Sequence, residues 1–221
     1  GPAATIKQSE VVTEENGPIP YDYLILAAGS VTQFFGLASV EHHAFGLKDL
    51  MDAIRLRNHV LTMFEQAGQE ADPARRARLL TFIIVGGGPT GVELAGSFRE
   101  LYDHVLTRDY PALDLKQARV ILLEATGRLL PALAPELGQK AVATLQQIGV
   151  EVRLNTALAA ADEERVTLKD GARIPCATLV WAAGVRASPF ADSLHQIPCK
   201  NNRVCLEPSL QVPNHPDVYV V

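Results

Sequence analysis

Apolar and polar positions follow their most regular pattern between residues 79 and 154. The unbroken apolar run LLTFIIV leads into three consecutive glycines and then into a helical pattern with one apolar face. Two further predicted strands, residues 119–124 (RVILLE) and 150–154 (VEVRL), are separated by a helical pattern over residues 134–148. Strand, helix, strand, helix, strand in this order is typical of parallel strands joined by crossover helices. The pattern therefore predicts an α/β fold with a parallel sheet.

A long amphipathic helix is predicted before this sheet, over residues 48–69. Asp72-Pro73 ends its pattern, and its charged side is expected to face water. The apolar residues that lie near helical spacing are Leu50, Ile54, Val60, Leu61 and Phe64.

Two β-hairpins are also predicted. The first joins residues 11–14 to residues 23–26 through an Asn-Gly-Pro turn at 16–18. The second joins residues 165–168 to residues 173–175 through an Asp-Gly pair, which is a strong hairpin signal.

One short sequence occurs twice along the chain. Residues 23–29 are YLILAAG and residues 179–184 are LVWAAG, so that an apolar strand twice breaks at Ala-Ala-Gly. Taken alone, the repeat is compatible with chance, because buried strands often end in small residues.

Composition and charge narrow the classes of function. The net charge is -5 and lysines and arginines do not cluster, so nucleic acid is not expected as a partner. No apolar run reaches the length of about eighteen residues that spans a bilayer, so no transmembrane segment is predicted. The cysteines, Cys176, Cys199 and Cys205, have neither CxxC spacing nor nearby histidines at ligand intervals, so no metal site is expected.

The turn after the first strand satisfies the pattern GxGxxG between a strand and a helix. Gly86 would permit a tight turn, Gly88 would let a pyrophosphate approach the main chain, and Gly91 would let the helix pack closely. The N-terminus of the helix would then face the phosphates. The alternative is a glycine-rich turn that only brings helix and strand together. The motif residues are Gly86, Gly87, Gly88, Pro89, Thr90 and Gly91.

Two carboxylates extend this hypothesis. Glu124 ends the second strand, where it could bind the adenosine ribose of NADH and repel the 2′-phosphate of NADPH. Arg128 follows four residues later and could serve a 2′-phosphate, although a solvated arginine is the simpler alternative. Glu93 is predicted in the first helical turn, where a carboxylate is favourable but would repel a pyrophosphate, so we expect it to point toward the nicotinamide or its ribose.

The chain resembles the flavoprotein reductases that contain two dinucleotide-binding domains. The resemblance rests on PYDYLILAAG, the long helix, FIIVGGGPTGVELAG, VILLEATGRLLP, GVEVRL and LVWAAGVRASP in this order. Within that superfamily the sequence is most similar to the type II NADH dehydrogenases, the single-subunit NADH:quinone oxidoreductases.

The resemblance implies two cofactors, NADH and FAD. It implies a Rossmann-like NAD(P)-binding domain inserted into an FAD domain, with hydride passing from NADH to the flavin and electrons passing on to quinone. Gly29 would lie near the FAD side, and the glutamate matching Glu93 would lie beside the nicotinamide as the catalytic candidate. The NADH side would be lined by Gly86, Gly88, Gly91, Glu124, Ala183 and Gly184.

The resemblance also implies a division of the chain. Residues 78–184 would be the NADH-binding domain, residues 48–77 a connecting helix, and residues 1–47 and 185–221 β-rich pieces of a truncated FAD-binding domain. The chain is then expected to be a fragment, inactive alone, that lacks the glycine-rich FAD turn and the C-terminal part of the family.

Partners follow from the same resemblance. Quinone is the expected substrate of the intact protein, which would be cytoplasmic or attached to the cytoplasmic face of the inner membrane through the missing C-terminal part, with a homodimer left open. Three alternatives remain at this point. They are a rubredoxin, ferredoxin or disulfide reductase of the same architecture, a non-catalytic NADH-binding redox sensor, and a self-standing Rossmann dehydrogenase.

Overall fold

The computed structural model describes residues 3–7, 10–13, 17–110, 113, 118–189, 199–200 and 203–221. They form two compact units. The larger unit is Phe34–Gly184, and the smaller unit combines Gly1–Gln33 with Val185–Val221. The predicted turn residue Asn16 and the side chain of Cys199 lie outside the described part.

The helices and strands have the following bounds. The helices are α1 (Ala38–His43), α2 (Leu50–Gln69), α3 (Pro73–Leu79), α4 (Pro89–Leu101), α5 (Thr107–Asp109) and α6 (Pro135–Gln147), and a π-helical turn at Tyr102–Leu106 joins α4 to α5. The strands are β1 (Ala3–Lys7), β2 (Glu10–Thr13), β3 (Gly17–Pro20), β4 (Leu24–Leu26), β5 (Ser30–Thr32), β6 (Thr81–Val85), β7 (Arg119–Leu123), β8 (Val150–Arg153), β9 (Leu158–Ala161), β10 (Arg165–Leu168), β11 (Arg173–Pro175), β12 (Thr178–Trp181), β13 (Val185–Ala187), β14 (Cys199–Lys200), β15 (Arg203–Val204), β16 (Gln211–Val212) and β17 (His215–Val220).

A parallel sheet with the strand order β12-β6-β7-β8 forms the centre of the larger unit. Every residue of β6 is buried. Phe82 and Ile84 face one core cluster whereas Ile83 and Val85 face another, as the alternation of side chains along a strand requires. Burial on both faces explains the unbroken apolar run. The predicted α/β fold with a parallel sheet is confirmed.

Helix α2 covers one face of this sheet through aromatic contacts. The ring of Phe64 lies 5.9 Å from that of Phe82 and 5.2 Å from that of Tyr102, which follows α4. The predicted apolar face of α2 was partly wrong, because Leu50 is 74% exposed and Leu61 is 39% exposed. The buried face instead follows i, i+4 and i, i+3 spacing and consists of Leu56, Val60, Phe64 and Ala67.

The connecting segment contains two helices. Asp72 accepts hydrogen bonds from the backbone N–H groups of Ala74 and Arg75, at 2.7 and 3.2 Å, and Pro73 is the first residue of α3. Asp-Pro therefore starts a helix here as well as following the end of α2, because aspartate is a favourable N-cap and proline is favourable at the first helical position.

A second, antiparallel sheet packs on the other face of the larger unit. Its strands have the order β11-β10-β9, and the Asp-Gly hairpin between β10 and β11 is confirmed. Strand β9 was not predicted. Phe45 pairs with Val180 of β12, so the segment from residue 34 to residue 47 belongs to the larger unit.

All elements described in the smaller unit are strands. Strands β1, β2 and β3 form an antiparallel sheet, and β4 pairs in parallel with β17. The second strand of the predicted N-terminal hairpin was therefore wrong. Strand β2 pairs with β3, whereas residues 24–26 pair with β17.

None of the helices in the described part of the chain is both long and apolar enough to cross a membrane.

Candidate functional site

A cavity of about 550 Å³ lies where β6, β7 and β12 end. The carboxyl ends of parallel strands are the usual place for a ligand in an open α/β sheet. The predicted site residues that line this cavity are Gly86, Gly87, Gly88, Glu124, Ala183 and Gly184. The sheet thus brings the glycine turn, the second-strand carboxylate and the second Ala-Ala-Gly segment together.

Close backbone contacts require glycine at two positions of the turn. Gly86 has φ +116°, and a Cβ atom there would lie 2.5 Å from the carbonyl oxygen of Ala182. A Cβ atom on Gly91 would collide with the carbonyl oxygen of Gly86. Strand β6, helix α4 and the segment after β12 therefore approach each other more closely than any side chain allows.

The first turn of α4 is open to an anion. Gly88 is the N-cap residue, Pro89 is the first helical residue, and no side chain accepts a hydrogen bond at this cap. A Cβ atom on Gly88 would meet nothing within 4 Å, so space remains for a ligand beside the main chain. Unsatisfied N–H groups and the helix dipole favour a phosphate at such a position. Thr90 is exposed and Gly91 is buried.

Glu124 is joined directly to the glycine turn. Its Oε2 accepts a hydrogen bond of 2.6 Å from the backbone N–H of Gly87. Its Oε1 accepts hydrogen bonds of 2.7 Å from both the backbone N–H and the hydroxyl group of Thr126. The backbone of Glu124 is also held, because its N–H donates to the carbonyl oxygen of Arg153 and its carbonyl oxygen accepts from Thr156. The carboxylate is thus half-buried and fixed in direction.

The guanidinium group of Arg128 binds backbone carbonyl groups and is not available for a 2′-phosphate. One guanidinium nitrogen donates to the carbonyl oxygens of Pro131 at 2.8 Å and of Leu133 at 2.6 Å. The simple picture of a solvated arginine is therefore also incomplete, since the side chain braces the loop before α6. Lys169, which sequence reasoning did not single out, is exposed and lines the cavity as Glu124 does.

Aromatic residues form part of the cavity wall beside Ala183 and Gly184. The ring of Trp181 lies 5.6 Å from that of Phe34 and 6.4 Å from that of Phe35. Phe35 is 62% exposed, has φ +52°, and lies beside Gly184. An apolar wall of this kind can take a planar ring.

Glu93 lies elsewhere. It is exposed and is the fifth residue of α4, so the prediction that it stands in the first helical turn was wrong. The sequence pattern fixed the glycines but not the helix start, which Pro89 determines. Glu93 is not among the residues that line the cavity, and neither are Pro89, Thr90 and Gly91.

Gly29 belongs to the smaller unit. It has φ +68°, and its carbonyl oxygen accepts a hydrogen bond from Ser188 N–H at 3.2 Å. Together with Ala28 and Ser30 it lines a separate cavity of about 440 Å³.

The titratable groups near β12 are structural. His59 Nε2 lies 3.0 Å from the carbonyl oxygen of Ala177 and 3.0 Å from the hydroxyl of Thr178, and burial lowers the pKa of the imidazole. Burial raises the pKa of the Cys176 thiol to about 12, so it stays protonated and unreactive at neutral pH. Among the described residues, no cluster of three or more His, Cys, Asp or Glu side chains could hold a metal ion.

Sequence reasoning missed four residues of the cavity wall. Thr126 and Lys169 carry no spacing signal, because a threonine or lysine in a loop is common. Phe35 and Trp181 lie far apart in sequence, and only the fold brings their rings together.

The chain is similar to known proteins along most of its length. Residues 2–221 match the protein-family model described as pyridine nucleotide-disulphide oxidoreductase. A type II NADH:quinone oxidoreductase from Mycobacterium tuberculosis is 43% identical over 210 residues, which are 91% of this chain and 45% of that protein. A probable NADH dehydrogenase from Dictyostelium discoideum is 30% identical over 98% of this chain and 48% of its own length.

A solved structure shows the same fold. NDH2 from Plasmodium falciparum, in complex with NADH, superposes with a TM-score of 0.84 at 22% identity, over 96% of this chain and 46% of that chain. The chain spans just under half the length of these relatives. The resemblance stated from the sequence is confirmed.

Proposed function

The chain belongs to the pyridine nucleotide-disulphide oxidoreductase family, and we propose from this premise that Phe34–Gly184 binds NADH in the cavity at the ends of β6, β7 and β12. In this role it is the NADH-binding portion of a flavin-dependent NADH:quinone oxidoreductase. The observation that carries the proposal is the 2.6 Å hydrogen bond between Gly87 N–H and the Glu124 carboxylate. It unites the phosphate-binding motif and the ribose-binding carboxylate in one cavity wall.

The pyrophosphate is proposed to bind at the N-terminus of α4. Gly88 leaves open space there, and the helix presents its first-turn N–H groups without a side-chain cap. Gly87 N–H is already bonded to Glu124, so the phosphate contacts are expected from the amides that follow it in the first turn. Gly86, Gly91 and the main chain of Ala182 keep the turn in place.

Glu124 is proposed to bind the adenosine ribose. An ionised carboxylate accepts hydrogen bonds from the 2′-hydroxyl group of NADH, and it repels the 2′-phosphate of NADPH. Arg128, a cation that could have compensated this repulsion, donates to loop carbonyl groups instead. We therefore infer a preference for NADH.

The nicotinamide half is proposed to lie toward Ala183 and Gly184. When bound, NADH supplies a hydride, FAD accepts it, and quinone receives the electrons in the whole protein. The residues of this chain bind and orient the nucleotide, and hydride transfer needs no acid-base pair from them. Glu93, one turn along α4 from the glycines, is proposed to act near the nicotinamide in the intact protein.

The smaller unit is proposed to be part of an FAD-binding domain. Gly29 stands at positive φ after the parallel strand β4, and open space surrounds it. This is the arrangement expected where a main chain approaches a nucleotide. The proposed domain division is thus an NADH-binding unit, Phe34–Gly184, which includes the connecting segment over residues 48–77, and FAD-domain pieces before and after this unit.

Quinone, a peripheral membrane location and a homodimer are proposed for the whole protein. The names of the Mycobacterium relatives support quinone as acceptor. Full-length protein assayed with NADH and either a soluble quinone or an iron-sulfur ferredoxin would distinguish the quinone reductase from the ferredoxin reductase alternative.

Calorimetric titration of the chain with NADH and with NADPH tests the binding proposal. We expect NADH to bind about tenfold or more tightly than NADPH, and Glu124→Gln to reduce this ratio by removing the charge. Glu65→Ala, an exposed carboxylate on α2, is the matched control. Failure of the wild-type chain to bind NADH, or tighter binding of NADPH, would contradict the proposal.

A further inference from the structure

We propose that Thr126 is a positioning residue that fixes the Glu124 carboxylate and thereby sets the discrimination between NADH and NADPH. This inference rests on the proposed NADH site. It concerns a residue outside the glycine motif, in a loop position that carries no motif of its own.

Three donors hold the carboxylate of Glu124. Thr126 supplies two of them to Oε1, both at 2.7 Å, and Gly87 supplies the third to Oε2 at 2.6 Å. A carboxylate offers about four acceptor positions, two on each oxygen. The remaining position is therefore on Oε2, and the geometry assigns the ribose hydroxyl to that oxygen.

The hydroxyl group of Thr126 has two acceptors within reach. Glu124 Oε1 lies at 2.7 Å and the carbonyl oxygen of Arg128 lies at 3.3 Å. A hydroxyl has one hydrogen, and a charged acceptor at the shorter distance binds it more strongly. The hydroxyl therefore donates to Glu124.

The orientation of Glu124 matters because a cation is available. Lys169 lines the same cavity and would attract a 2′-phosphate. A carboxylate that could rotate away would leave room for that phosphate, whereas a carboxylate held on both oxygens stays and repels it. Selectivity for NADH thus depends on the hydrogen bonds to Glu124 as well as on its charge.

Thr126→Val tests this inference, because valine has the same shape but no hydroxyl. We expect the affinity for NADH to fall about fivefold while the affinity for NADPH stays or rises, so that their ratio falls. Thr126→Ser retains the hydroxyl and should restore the ratio. Thr62→Val, which removes an exposed hydroxyl that bonds within α2, controls for the general effect of the substitution.

A second measurement needs no nucleotide. Amide hydrogen exchange at Gly87 reports the bond from its N–H to Glu124 Oε2. We expect exchange at Gly87 to accelerate about threefold or more in Thr126→Val and to stay at the wild-type rate in Thr126→Ser. Unchanged exchange in Thr126→Val would overturn the positioning role.

The two measurements separate the two hypotheses. Lack of NADH binding by the wild-type chain would overturn the proposed function, and with it the role in discrimination, while the exchange rate still decides whether Thr126 fixes Glu124. Equal loss of NADH and NADPH affinity in Thr126→Val would overturn the role in discrimination and leave the NADH site intact.

Discussion

Two strands of the molecule are followed directly by Ala-Ala-Gly, one in each unit. Strand β4 leads into Gly29 and strand β12 leads into Gly184, and each strand pairs in parallel with a neighbour. Both glycines have positive φ, +68° and +153°. The same three residues thus place a glycine at positive φ after a parallel strand in both units, although the two angles differ.

The surroundings of the two strands differ. In β12 every residue is buried, and Val180 has no exposed surface. In β4 the equivalent residue, Ile25, is 66% exposed. A cavity with a fixed carboxylate adjoins the end of β12, whereas the cavity beside Gly29 has Arg186 and Arg203 in its wall. The Ala-Ala-Gly sequence thus places a glycine at positive φ after each strand, while the packing around the strand decides how rigidly the segment is held.

The largest difference between the two units is expected when alanine replaces one glycine in each of them. In Gly86→Ala the new Cβ atom would lie within 2.6 Å of three backbone atoms of Ala182 and Ala183, so the main chain must shift. We expect a loss of about 3 kcal/mol or more in the free energy of unfolding. NADH binding should be lost as well.

Gly29→Ala is the matched substitution in the smaller unit. It meets nothing within 4 Å, so only the positive φ opposes it, at about 1 kcal/mol. Native-state hydrogen exchange reports the opening free energy of each unit separately. Equal losses of opening free energy in the two variants would show that the two turns are held equally rigidly, which would contradict the difference described above.

An intermediate effect is expected when threonine replaces the β-branched aliphatic residue at the equivalent strand positions. Val180→Thr buries a hydroxyl and should cost about 1–3 kcal/mol in the free energy of unfolding. Ile25→Thr, at an exposed position, should change it by less than about 0.5 kcal/mol. Urea denaturation together with hydrogen exchange at β12 and β4 measures both, and a loss at Ile25 as large as that at Val180 would mean that β4 is covered.

The smallest expected effect is on the pH dependence of stability, through the hydrogen bonds of His59 at the start of β12. Burial lowers the pKa of His59 from its ordinary value of 6.5, so the unfolded chain takes up the proton first as the pH falls. The contribution of the neutral imidazole to stability is therefore complete above about pH 6.5 and is lost as the pH falls through the folded-state pKa.

His59→Gln should accordingly make the free energy of unfolding less dependent on pH between about pH 7 and pH 5. His42→Gln, at an exposed position, is the control. Identical pH profiles for wild type and His59→Gln would show that the hydrogen bonds to Ala177 and Thr178 do not require the neutral form.

Much of the larger unit followed from the sequence, because its signals are local. The run TFIIV is buried on both faces, and glycines 86 and 91 are enforced by backbone contacts, so both leave a mark in the sequence. The hairpin at Asp170-Gly171 is local for the same reason. Strand β9 was missed because Leu-Ala-Ala-Ala shows no alternation and pairs only through its neighbour β10.

The rest depended on contacts distant in sequence or on competing local signals. Strand β4 pairs with β17, almost two hundred residues later, so the nearby Asn-Gly-Pro turn misled its assignment. Asp72-Pro73 predicts the end of α2, and the same pair also begins α3. The hydrogen bond from Gly87 to Glu124 joins residues 37 positions apart. The hydrogen bond from Thr126 to Glu124 depends on the conformation of the loop after β7, which the sequence does not indicate.

Trp181 has one further consequence. It is the only tryptophan in the chain, and it lines the cavity proposed for NADH. The emission band of indole overlaps the absorption band of the reduced nicotinamide, so energy transfer from Trp181 would dim its fluorescence when NADH enters. The oxidised nucleotide lacks that absorption band. The chain therefore carries a built-in optical probe that would distinguish the two redox forms of its own ligand without any label.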